Sequence, residues 1–363
     1  MGASWDGCAS EQVEQALQLV NKDGCSFKNI PGELQHDSRI ALAAVSQNWH
    51  ALRMLPAELR GCHEIMMAAV SQDWRALEYA PPALRGDANI FLTAMDSQVA
   101  DATWQAMLFA SDELKGNREF ILQAVSQHPR VLQYASKELQ GDYQISMAAV
   151  KKDWHALDFV AASICGDRDI MAEAVSQHGF AVMKASKDLQ ADRQLMLQAV
   201  SKHGLCLQYA SNELRADKDI VLKAVSLQGQ VLPLASSDLR RDQEIVLAAV
   251  KNYPTAMHAA DDDLAVSLVR DENILNQYFS NAYVLVVSLL SGRSCVVVCQ
   301  GSYLFDKSAV VDHSLRKLCP KSRKPRAELY SGDVPIPNSG KIDNWPSVKI
   351  GHAAELQLVL NVG

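Results

Sequence analysis

Nowhere does this 363-residue chain string together the ~20 apolar residues that a membrane-crossing helix needs. Its opening residues, MGASWDGCAS, have neither a basic n-region nor an apolar h-region. The expectation is a protein made and kept inside the cell, cytoplasmic with the nucleus as the alternative. Gly2 invites a myristoyl anchor, but the pattern asks for Ser or Thr at position 6, and Asp6 stands there. The eight cysteines are scattered, with no CxxC and no Cys/His cluster at zinc spacing, and read as reduced thiols. Catalytic signatures are missing too. There is no P-loop, no GxGxxG after a strand, no GxSxG and no HExxH. No catalytic residue, cofactor or metal ligand can be nominated, and a non-enzymatic binding protein is expected.

What the chain has in abundance is one unit repeated. An Ala-Val pair recurs with its second member at Val45, Val70, Met95, Val125, Val150, Val175, Val200, Val225 and Val250, and seven of the eight intervals are 25 residues. The exception, Met95 to Val125, is 30, with the surplus in DSQVADAT before Trp104. Self-similarity at such a period marks a repeat architecture.

Each unit reads as two short helices. The first opens on Asp37, Asp87, Asn117, Asp142, Asp167, Asp192, Asp217 or Asp242, side chains that can cap a first turn; Cys62 departs. Three residues later stands Ile40, Ile65 or an equivalent, then the Ala-Val pair, an apolar stripe at helical spacing. The invariably small Ala44, Ala69, Ala94 and their successors imply close approach of a neighbouring backbone. The second helix carries a leucine seven after the Val (Leu52, Leu77, Leu132, Leu157, Leu207, Leu232) and runs into a tight S-x-x-L turn. Helices this short are unstable alone in water. Each unit must stack on its neighbours, as an elongated solenoid does.

This pattern, D-x-x-I-x-x-x-A-V and then W/G-x-x-L-x-x-A-S-x-x-L, resembles a helical repeat family known only as a domain of unknown function, number 4116. The resemblance spans roughly residues 10–264. It implies a helical-repeat fold and a protein-interaction role, and brings no catalytic residues. Past Leu264 the register slips, and Asp271, Ile274, Tyr278 and Phe279 repeat the spacing with Tyr278 in the alanine's place, as a capping element would.

From Tyr283 the period turns from helical to β. YVLVVSLL, a turn at Ser291-Gly292, and RSCVVVCQ form a hairpin; SAVVDHSLRKLC is a helix; RAELY, a turn at Ser331-Gly332, a loop and ELQLVLNV complete a β-β-α-β-β order. This end resembles ubiquitin over about residues 283–363, through SLLSGR, AELYSG and LQLVLNVG. The resemblance implies a receptor-docking patch at Leu290, Leu329 and Val359. Ubiquitin's arginine-bearing diglycine tail is replaced by Asn361-Val362-Gly363, so a built-in module is expected rather than a conjugated tag.

The expected fold is mostly α: an α-solenoid of about ten 25-residue two-helix repeats, plus a C-terminal α+β ubiquitin-like β-grasp domain. Residues 1–9 form an extension, 10–264 the solenoid, 265–281 a capping helix and linker, and 282–363 the β-grasp domain.

Candidate contact residues lie where copies differ. Aromatics are only 6% of the chain, yet Trp49, Trp74, Trp154 and the shifted Trp104 share one repeat position, taken later by Gly179, Gly204 and Gly229. They read as core filler or as a stripe for a protein partner. Tyr79, Phe109, Tyr134, Phe159 and Tyr209 form a second ladder. A nucleic-acid partner is not expected, because residues 1–280 hold 25 Lys/Arg against 36 Asp/Glu. The last 83 residues hold 10 against 6, with a basic run at Arg316, Lys317, Lys321, Arg323, Lys324 and Arg326. That run reads as a solvated loop or an import patch. His128, His178 and His203 share a turn, with neighbours expected ~8–10 Å apart, too far for one zinc. The partners expected are proteins, ubiquitin-receptor-type domains among them. The alternative is a purely structural scaffold with the small domain packed on the solenoid.

Overall fold

A computed structural model describes residues 9–96, 103–279, 282–289, 294–300, 326–331, 334–335 and 353–361. The chain forms two compact units, Met1–Ala174 and Val175–Gly363. Among the described residues no helix is long and apolar enough to cross a membrane.

In the first unit the Ala-Val segments are helices at Ser38–Gln47, His63–Val70, Ala88–Asp96, Arg118–Gln127 and Tyr143–Lys152. The capping residues work as their chemistry requires. Asp37 accepts from the Arg39 backbone N–H, Asn117 from that of Phe120 and Asp142 from that of Ile145, while Cys62 makes no such bond. In the second unit Asp192 caps Arg193–Lys202, Asp217 caps Lys218–Leu227 and Asp242 caps Gln243–Asn252. Each helix buries four positions, such as Ile220, Val221, Ala224 and Val225. A degenerate first repeat begins with the helix Ala9–Lys22, which buries Ala16 and Val20.

The second element of each repeat is a 3₁₀ helix rather than an α-helix. Examples are Trp49–Met54, Trp74–Tyr79 and Pro129–Tyr134 in the first unit, and Gly179–Lys184, Gly204–Tyr209, Gly229–Leu234 and Pro254–Ala259 in the second. The burial is compatible with that geometry. Leu52 and Leu55, Leu77 and Ala80, Leu207 and Ala210, and Leu232 and Ala235 are buried pairs three residues apart. In a 3₁₀ helix residues at i and i+3 eclipse, so that spacing aims both inward. In the S-x-x-L turn the serine hydroxyl accepts from the backbone N–H three residues on, as Ser111 does from Leu114 at 3.2 Å.

Two contacts hold successive repeats together. One is a backbone hydrogen bond from the residue opening the S-x-x-L turn to a carbonyl of the preceding repeat. It runs Ser136 N–H to Lys115 O (3.0 Å) and Ala161 N–H to Gln140 O (2.8 Å) in the first unit, and Ser236 N–H to Arg215 O (2.9 Å) and Asp261 N–H to Arg240 O (3.0 Å) in the second. The other answers the constant alanine. A Cβ placed on Gly204 would lie 2.6 Å from the Ala224 carbonyl oxygen, and one on Gly179 would lie 2.7 Å from that of Ala199. Where a glycine opens the 3₁₀ helix, the close approach expected at the alanine is made by that glycine of the preceding repeat.

At the last repeat the one-turn S-x-x-L motif grows into a nine-residue helix, Asp262–Arg270, followed by Glu272–Tyr278 under an Asp271 cap. The chain then enters a five-stranded sheet of β1 (Ala282–Leu289), β2 (Ser294–Gln300), β3 (Arg326–Ser331), β4 (Val334–Pro335) and β5 (Ala353–Asn361), in the order β2-β1-β5-β3-β4. β1 runs parallel to β5 and antiparallel to β2; β3 is antiparallel to β5 and β4. The β1–β2 hairpin is buried on both faces: Val286 and Val296 are register partners on one, Val287 and Cys295 on the other. On one side β2 lies against the 3₁₀ helix Pro254–Ala259 and the helix Asp262–Arg270. The expected helix SAVVDHSLRKLC lies outside the described residues.

Gly204→Ala should lower stability by about 1–3 kcal/mol, since its methyl meets backbone rather than a movable side chain. Gly86→Ala, whose new Cβ would stand 3.4 Å from the Ser111 hydroxyl, should cost less. Urea unfolding of both variants measures the difference.

Candidate interaction surface

Trp49, Trp74 and Trp154 open 3₁₀ helices of the first unit, Trp104 is second in its own, and Trp74 and Trp104 meet the second aromatic ladder. Trp74 is 7% exposed, and its ring centroid lies 6.4 Å from that of Phe109 in the next repeat. Trp104, half-buried, stacks on Tyr134 at 6.0 Å, with the Arg130 guanidinium 5.8 Å above it. Trp49 and Trp154, also half-buried, lie against the histidines that follow them, Trp49 stacked on His50 at 4.0 Å and Trp154 tilted over His155 at 4.1 Å. The two ladders thus interlock across repeats. Trp74 is core filler, whereas Trp49, Trp104 and Trp154 keep one side toward solvent.

In the second unit Phe180 takes over from the lost tryptophan. Its ring lies 5.7 Å from His178 and 5.1 Å from His203, and the two imidazoles are 4.8 Å apart. That is nearer than the expected ~8–10 Å, which is a spacing between helix axes rather than between side-chain tips. Cys206 is buried beside them, and burial pushes its thiol up to about 12, so it stays protonated and poorly nucleophilic. Among the described residues no three His, Cys, Asp or Glu side chains are placed to hold a metal.

A third feature escaped the sequence reading. In four repeats the residue after the cap position reaches the cap carboxylate of the next repeat: His63 to Asp87 (3.2 Å), Arg118 to Asp142 (2.9 Å), Arg193 to Asp217 (2.7 Å) and Lys218 to Asp242 (2.8 Å). Each such Asp serves its own helix and the preceding repeat at once. The Arg193 guanidinium beside Asp217, and the Lys218 ammonium beside Asp242, hold these carboxyls below the usual range, assisted by cap N–H groups. At Asp142 burial works the other way and is outweighed by the Ile145 N–H and Arg118. The available signal was a basic residue directly after the cap, at Arg118, Arg168, Arg193 and Lys218.

Two open clefts lie at S-x-x-L turns. One, of about 380 Å³, is lined by Ala83, Gly86, Asp87, Glu113, Leu114 and Asn117. The other, of about 270 Å³, is lined in part by Arg240, Arg241, His258 and Asp261, with Arg241 bound to Asp261 at 3.0 Å. Ser237 and Asp262 line this second cleft as well.

In the sheet, Leu329 is opposite Leu358 and Glu328 is opposite Val359. Opposed residues share a face and neighbours along a strand alternate, so Leu329 and Val359 fall on opposite faces. Leu290 lies outside the described residues, as do Arg316, Lys317, Lys321, Arg323 and Lys324; Arg326 begins β3 opposite Asn361.

Two outcomes are expected. Trp74→Ala should cost about 3–5 kcal/mol in urea unfolding, and the half-exposed Trp154→Ala clearly less. A carboxyl with a depressed folded-state pKa contributes stability above its unfolded value of about 3.9, and loses it as pH falls through the folded value. Arg193→Met and Lys218→Met should therefore lose less stability than the parent between neutral and strongly acid pH, measured as thermal midpoint against pH.

No curated protein and no solved structure matches the chain. A family model described as a domain of unknown function (DUF4116) matches residues 13–60, 50–85, 103–140, 117–163, 142–190, 167–215, 192–240 and 217–265. With that model tiling well over half of its length in register with the repeats, the chain belongs to the DUF4116 family.

Proposed function

We propose that the chain is a non-enzymatic protein-interaction scaffold, in which a C-terminal β-grasp module of the ubiquitin type is packed on the last repeat and closes it. The observation that carries this reading is β2 lying against Pro254–Ala259 and Asp262–Arg270. The last repeat has no successor, and its Ala256, Met257, Ala260, Ala265, Leu268 and Val269 are nevertheless buried. Burying apolar area contributes roughly 25 cal/mol per Å², so a cover there is worth having. The β-grasp assignment is supported by the strand order β2-β1-β5-β3-β4 with its parallel β1–β5 pair.

The repeats supply the partner surface, and Trp49, Trp104 and Trp154 are its candidate anchors. Docking of the module on a ubiquitin receptor has less support, since Leu329 and Val359 alternate across the sheet.

A chain of residues 1–279 tests the cover. It should keep its helical circular dichroism, bind a hydrophobic dye that the full chain does not, and unfold at lower urea. Identical stability and no dye binding would show that the module caps nothing.

A further inference from the structure

The two edges of the sheet are built differently. β4 is two residues long and ends in Pro335, the shortness and proline that blunt an edge against pairing. β2 is seven residues, SCVVVCQ, with no charge and no proline. By sequence alone β2 is a template for another strand. Its inner side is taken by β1, and the last repeat lies against it.

β2 is also symmetric. Cys295-Val296-Val297-Val298-Cys299 reads the same in both directions about Val297. Two copies of β2 aligned antiparallel about Val297 would set Val297 opposite Val297, Val296 opposite Val298 and Cys295 opposite Cys299. Opposed residues share a face, so positions 295, 297 and 299 of both strands would fall on one side and 296 and 298 on the other. Such a two-fold pairing joins two five-stranded sheets without a register conflict.

We propose that the last repeat is a guard on this edge: seated, it blocks β2, and displaced, it lets β2 pair antiparallel with β2 of a second copy. This inference rests on the covering contact described under Proposed function. The occupant is a second copy because the strand is uncharged and matches itself, whereas nothing along it selects a different sequence.

The test uses the full-length chain. Leu268→Lys puts a charge on the helix that lies against β2. With native circular dichroism, it should shift from monomer to dimer mass in sedimentation, while the parent stays monomeric. Adding Val298→Lys, a gatekeeper on β2 itself, should return it to monomer. So should an excess of a lysine-tailed peptide of residues 294–300, which should bind the variant and not the parent. If Leu268→Lys does not fold, Met257→Ala, which thins the guard without adding charge, takes its place in the same assays.

A folded guard variant that stays monomeric and ignores the peptide overturns the proposal. Self-association unaffected by both Val298→Lys and the peptide overturns it too, by placing the contact elsewhere. The covering contact is judged separately: if residues 1–279 match the full chain in stability, the cover itself fails. If they are destabilised while the guard variant stays monomeric, only the self-pairing is lost.

Discussion

Everything in this molecule depends on the fact that its helices are too short to stand alone. A ten-residue helix such as Lys218–Leu227 closes only a few turns, and its helical state in water is marginal. Order has to come from the neighbouring repeat. The neighbour provides it through three kinds of contact that differ in range and in sensitivity to solvent. The glycine-to-alanine approach is steric and admits no added atom at Gly204. The backbone bond at the S-x-x-L turn is directional and largely indifferent to side-chain identity. The cap-to-cation ladder is half exposed and weakened by salt.

The glycine and tryptophan repeats are two solutions to one packing problem. Where Gly179, Gly204 and Gly229 open the 3₁₀ helix, it settles onto the next repeat's alanine carbonyl. Where Trp74 and Trp104 stand, the same position sends a large ring sideways onto Phe109 or Tyr134. The first places specificity in backbone, the second in side chains.

Much of this was legible in the sequence because a repeat states each constraint many times. The Asp caps, the buried Ile and Val stripe and the constant alanine recur often enough to separate signal from accident. The 3₁₀ geometry was not legible, because Leu52 and Leu55 stand three apart while Ala51 and Leu55 stand four apart, and short apolar runs do not declare their period on their own. The cap-to-cation ladder was missed because its partners stand about 24 residues apart, as Arg118 and Asp142 do. No local pattern couples them until stacking is known. The register at Leu329 and Val359 is likewise a property of strand pairing, since a shift of one residue exchanges the faces.

The backbone bond between repeats has one more consequence. It normally spans 21 residues, as from Ser136 to Lys115, yet Ser111 N–H still reaches Arg85 O at 2.8 Å with 26 between their positions. The five extra residues that precede Trp104 leave that bond intact, so stacking does not meter the number of residues between a repeat's two helices. Such a position is a graft point. New segments, whether acquired by descent or inserted by an engineer, can be carried there while the repeats on either side keep their places.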